Sequence, residues 1–229
     1  MSISSQKLII TIATVIILGL HLSVYAGDKL HRDTHWSYCG DTSPQYWGSL
    51  SDLPPLEFNY NSIPLIIHNN GHTIGVKVGK AGSAGSVTIG EDIYQLVQFH
   101  FHTPSEEAIN TKHTEMVAHL VHKNPKTEKW GVVAILLEKG ETANPLLETL
   151  WKVMPKMPGE PQSHDDIQID INQLLPEDKN YYALSGSLTT PPCWEGIRWK
   201  ILKQPTSISA NQLAQFQVVY PQNARPLQP

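Results

Sequence analysis

The residues with the most chemical content stand together in Gln98-Phe99-His100-Phe101-His102-Thr103-Pro104-Ser105-Glu106. Alternate residues of a strand share a face, so His100 and His102 point the same way, roughly 7 Å apart along the strand. Phe99 and Phe101 then point to the other face, where a core would take them. On its own such a pair also fits a bland surface. The flanking aromatics and the acid at Glu106 favour a metal, with the third ligand coming from another strand. His119, inside Met116-Val117-Ala118-His119-Leu120-Val121-His122, is the candidate. Three neutral imidazoles and one open position make the catalytic type of zinc site, whereas structural sites are closed and usually thiolate-rich. Zinc in such a site lowers the pKa of bound water to near neutrality and so supplies a hydroxide nucleophile. His122 falls on the strand face opposite His119 and is expected to be exposed. His31, His113 and His164 sit in polar surroundings and read as surface residues. A second block, Tyr181 to Gly196 (YYALSGSLTTPPCWEG), is a run of small and hydroxyl residues interrupted by two prolines. It is expected to leave strand geometry and to form a loop that offers hydroxyls and backbone N–H groups to a site.

The elements that would position these groups are mainly strands. Ile63 to Ile67, Thr73 to Val78, Ser86 to Ile89, Tyr94 to His102, Met116 to Val121 and Val132 to Leu137 are rich in β-branched or aromatic residues, with Gly, Asn and Pro between them. Two helices are expected. Asn144 caps one that starts at Pro145 and carries Leu146, Leu147, Leu150, Trp151 and Met154 on one face. Ser209 and Gln212 form a capping box ahead of Leu213 and Phe216. Lys156 to Asp166 reads as a Pro-rich polar loop, and Pro221 to Pro229 as an irregular tail. The fold class is mostly β, in a single domain.

The 229 residues carry a net charge of −4 with no basic run, which excludes a nucleic-acid surface and favours a small-molecule partner. At the N-terminus, Lys7, the apolar run Leu8 to Leu20 and Val24-Tyr25-Ala26 fit an export signal cleaved after Ala26. The run is shorter than the roughly 20 residues of a spanning helix, so cleavage is preferred to an uncleaved anchor, and the mature chain, 27–229, is expected off the membrane. Periplasmic or secreted localisation follows, where Cys39 and Cys193 can be read as one disulfide, although the sequence does not bring them together. Oligomeric state stays open, a homodimer included.

At these motifs the chain resembles the α-class carbonic anhydrases. The resemblance runs from His35-Trp36-Ser37-Tyr38 through Asn69-Asn70-Gly71-His72, QFHFHTPSE, HLVH and SGSLTTPPC to Asn223-Ala224-Arg225-Pro226-Leu227, nearly the whole mature chain. It implies a large central, mostly antiparallel sheet with a few short helices, Zn2+ as cofactor, and reversible hydration of carbon dioxide to bicarbonate and a proton. Position by position, it implies His100, His102 and His119 as zinc ligands. Thr189 would accept the zinc hydroxide's hydrogen bond and pass its own to Glu106. His72 would be the proton shuttle. Val121, Val132, Leu188, Thr190 and Trp199 would line the substrate pocket. Gln98 would orient the first ligand, and Tyr38 and Asn70 would be polar cavity groups.

Three departures cluster at the third ligand. The resemblance implies an acid where Val117 stands, a histidine at Glu107 and a tyrosine at Leu184. Glu107 is expected to supply the missing carboxylate to His119, with Val117 and Leu184 filling the vacated space. A larger departure is a segment of some two dozen residues absent between about 48 and 53, with a cysteine that would pair with Cys193; Cys39 appears instead. Two other functions remain open. One is a zinc-binding relative with weak turnover. The other is a cupin-type oxygenase that uses Glu106 as an iron or manganese ligand, although the second cupin motif is not found.

Overall fold

The computed structural model describes residues 53–227, which belong to one compact unit, Asp52–Pro229. Residues 1–52 lie outside the described part, and with them the expected leader, Tyr38, Cys39 and the point where a segment is expected to be absent. The strands are β1 (Leu56–Tyr60), β2 (Ile63–Asn69), β3 (Ile74–Lys77), β4 (Gly85–Ile89), β5 (Asp92–His102), β6 (Met116–Lys123), β7 (Trp130–Gly140), β8 (Gln162–Ile169), β9 (Tyr181–Ser187), β10 (Glu195–Leu202) and β11 (Thr206–Ser209). They form one sheet of order β8-β2-β3-β5-β6-β7-β10-β9, with β4 joining β1 to β5 and β11 beside β7. Only β10 and β11 run parallel to β7; the other pairings are antiparallel.

Period-2 alternation divides the central strands between two faces. On one face Phe99, Phe101, Met116, Ala118, Leu120, Val133, Ile135 and Leu137 join the larger core, roofed by α1 (Pro145–Lys152) and α2 (Ala210–Gln217). On the other, Val117, Val121, Val132, Ala134, Leu136, Ile197, Trp199 and Ile201 form a smaller apolar cluster. The helices start where the sequence places them. Asn144 Oδ1 accepts from the N–H groups of Leu146 and Leu147, and Ser209 and Gln212 close a capping box. Gly85 opens β4 at φ +87°, where a Cβ would lie 1.9 Å from the carbonyl oxygen of Asn59, so the β1–β4 pairing requires glycine there.

Three expectations are corrected. The loop read over Lys156 to Asp166 contains the start of β8, which pairs with β2 although most of its side chains are exposed. A polar edge strand has no apolar alternation to announce it. Tyr181 to Ser187 is strand β9, and the irregular part of that block begins only at Leu188. His122 does face away from His119, but it is fully buried, with Nε2 2.7 Å from the Tyr60 hydroxyl. The larger core covers that face, and a phenol takes up its Nε2.

Candidate metal centre

Strand register builds the site. His100 of β5 is the cross-strand partner of His119 of β6, and His102 follows two residues on, on the same face. The three rings lie 4.9–5.4 Å apart, centroid to centroid, and one nitrogen from each falls within 4.8 Å of the other two. The remaining nitrogens are engaged by protein acceptors. His100 Nδ1 lies 3.0 Å from Gln98 Oε1, His102 Nδ1 3.0 Å from the carbonyl oxygen of Asn223, and His119 Nε2 2.7 Å from Glu107 Oε1. An N–H donated outward fixes the tautomer and leaves the inner nitrogen as a lone pair. The inner nitrogens are therefore Nε2, Nε2 and Nδ1. His102 Nε2 is buried without a hydrogen-bond partner, a costly state unless a cation takes the lone pair. The donor set fits a zinc ion.

Electrostatics keep the first two rings neutral. Burial pushes His100 well below the ordinary histidine value, helped by the neighbouring imidazoles of His119, His102 and His68. Burial also lowers His102, with His119 adding to it and Glu106, Asn223 and Glu107 opposing. His119 is also penalised by burial, but the charge and hydrogen bond of Glu107, with Glu106, outweigh that and raise it. Glu107 is correspondingly held below the usual carboxylate range, its own burial overcome by His119. The expected carboxylate thus reaches His119 from position 107. Val117 is buried within the apolar cluster beside it. Leu184 does not fill the vacated space: on β9 it is 47% exposed.

The loop from Thr103 to Glu115 sets the two acids. Ser105 pairs with Thr114 through its backbone N–H and its hydroxyl, which holds Glu106 and Glu107 against the ligands. Glu106 Oε1 accepts the backbone N–H of Arg225 at 2.8 Å, while its Oε2 is buried without a hydrogen bond, 3.9 Å from His119 Nδ1. Thr189 lies in the same cavity, of about 940 Å³, as Glu106, His68, His72, His100 and His102, but no hydrogen bond joins Thr189 to Glu106 among the described residues. His72 is exposed at the cavity wall. Asn70 lines the cavity as expected and also closes the turn, its Oδ1 accepting the N–H groups of His72 and Thr73. Val121, Val132, Leu188, Thr190 and Trp199 come together with His100 and His119 around an adjoining apolar space of about 240 Å³. Val97, Trp130 and Trp194 also line it, and the residue-by-residue reading does not name them. Cys193 makes no disulfide among the described residues; Cys39, its expected partner, lies outside them.

Two further supports escape the sequence reading. The carbonyl of Asn223 holds His102, and the backbone N–H of Arg225 holds Glu106, across 121 and 119 residues. Asn223 Nδ2 also donates to the carbonyls of His72 and Phe101, tying the tail to the ligand strand. The only signal for them is the Asn-Ala-Arg-Pro-Leu motif.

The family model "Eukaryotic-type carbonic anhydrase" matches residues 44–228. A carbonic anhydrase of Klebsiella pneumoniae is 40% identical over 220 residues, 86% of this chain and 88% of that protein. One of Neisseria gonorrhoeae is 37% identical, with 93% and 92% covered. Among solved structures, the α-carbonic anhydrase of Thermovibrio ammonificans in complex with the inhibitor sulfanilamide superposes with a TM-score of 0.72 at 39% identity, over 85% of this chain and 95% of that one. With three converging imidazoles on a matching sheet, this chain belongs to the α-carbonic anhydrase family of enzymes.

Proposed function

We propose that the chain catalyses the reversible hydration of carbon dioxide to bicarbonate and a proton at a zinc ion held by His100, His102 and His119. The observation that carries this reading is the set of three inner nitrogens within 4.8 Å of one another, each ring anchored from outside by Gln98, Asn223 or Glu107. Zinc in such a site supplies a hydroxide nucleophile at neutral pH. The protein's part is positioning. The apolar space beside His100 and His119 takes a small uncharged gas. The Thr189 hydroxyl, in the same cavity as the buried acceptor Glu106 Oε2, orients the attacking oxygen. His72, at the solvent-facing wall, accepts the released proton. The leader at residues 1–26 supports a periplasmic or secreted location.

Stopped-flow hydration by the mature chain, Gly27 onward, tests the reading. The expected result is a fast rate abolished by a zinc chelator and restored by zinc. Soluble, zinc-loaded protein with no rate above buffer would leave a zinc-binding relative without turnover.

A further inference from the structure

His68 has no chemical role in the reading above, yet it stands in the same row of the sheet. On β2 it pairs with Gly75 of β3; Gly75 pairs with His100 of β5, and His100 with His119 of β6. Cross-strand partners share a face, so His68 and the ligands project into one cavity. Two strand spacings of about 4.8 Å put its Cα about 10 Å from that of His100, with only glycine between them. A Cβ at Gly75 would lie 2.7 Å from His68 Cε1 and 3.5 Å from Nε2. The ring therefore leans across the glycine from β2 toward β5. His68 Nδ1 lies 3.1 Å from the Gly75 carbonyl oxygen and donates to it, which leaves Nε2 as the free acceptor.

The groups around it suit a proton carrier. Lys77 stands on β3, His100 on β5 and His72 in the β2–β3 turn; Glu106 and Arg225 line the same cavity. Burial and the charge of Lys77 hold His68 below the ordinary histidine value, against the Gly75 hydrogen bond. The ring is thus neutral at working pH and releases a proton readily.

We propose that His68 is a second proton-relay residue, working in parallel with His72. This rests on the hydration reading above. Carbon dioxide and water give bicarbonate and one proton. That proton is taken up at His68 Nε2, forming an imidazolium, and then passes to a buffer base in solvent, which restores the neutral ring.

The test compares zinc-loaded parent, H72A, H68A/H72A, G75A/H72A and H68A/H72A/G75A. In dilute buffer the kcat of H68A/H72A should fall about tenfold below that of H72A, with kcat/KM and zinc content unchanged and an imidazole buffer restoring the rate. G75A displaces the ring and should reproduce that loss on H72A, but add nothing to H68A/H72A. Independently of turnover, NMR of the zinc-loaded parent should show His68 as the Nδ1–H tautomer, taking a proton at Nε2 as pH falls below the ordinary histidine value. Equal kcat for H72A and H68A/H72A, or a ring that takes up no proton at Nε2 as pH falls, overturns the proposal. A parent with no chelator-sensitive hydration overturns the hydration reading and, with it, this one.

Discussion

At the scale of single residues, the centre depends on where one carboxylate comes from. Glu107 sits beside Glu106, and its Oε1 takes the His119 Nε2–H at 2.7 Å in a nearly buried pair. Outer partners of metal-bound histidines typically contribute 10–100-fold to metal affinity or activity. Glu107→Gln keeps the shape and removes the charge, so it should weaken zinc retention by about tenfold or more. Competition against a chromophoric chelator reads this directly. A variant that holds zinc as tightly as the parent would show that the contact is incidental. The exposure of Leu184 shows that the network is not repacked from β9.

Among the elements, the buried Gln212 side chain ties the two helices together. Gln212 Oε1 accepts from the N–H of Asn144 and of Ser209, and its Nε2 donates to the carbonyl of Asn144. Trp151 Nε1 donates to the Gln212 carbonyl. One residue thus closes the box of α2 and fixes the cap of α1, over the Phe101 side of the ligand strand. Each buried backbone group left unpaired costs about 1–3 kcal/mol. Gln212→Ala should therefore destabilise the fold by about 2–4 kcal/mol in urea denaturation, while the three histidines keep their register. A loss below about 0.5 kcal/mol would mean that water replaces the amide. Strand content was easier to read than strand edges: β5 to β7 announce themselves by alternation, whereas β8 is polar and exists through its pairing with β2.

For the whole molecule, stability should depend on pH through the core as well as the site. His122 is buried on the helix side of the sheet, and burial lowers its pKa to about 3. In the unfolded chain it is near 6.5. Between those values the unfolded chain binds a proton that the folded chain excludes. The contribution is therefore complete above about pH 6.5 and is lost as pH falls toward 3, by up to about 5 kcal/mol. Denaturation of parent and His122→Gln at a series of pH values checks this. The variant should lose about one proton's worth of slope in that window, and equal slopes would refute it.

What the sequence determined by itself is whatever follows from spacing along one segment. His100 and His102 share a face because strands alternate, and Asn144, Ser209 and Gln212 cap helices through neighbours two or three residues away. The family and its ligand set were likewise legible, because their motifs are contiguous. Tertiary structure decided what depends on distant partners. It placed His119 opposite His100, brought the Asn223 carbonyl to His102, buried His122 under a core the local pattern does not show, and left only Gly75 between His68 and the ligands. Those outcomes follow from strand register, which the order and packing of the whole sheet fix and no local stretch of residues encodes.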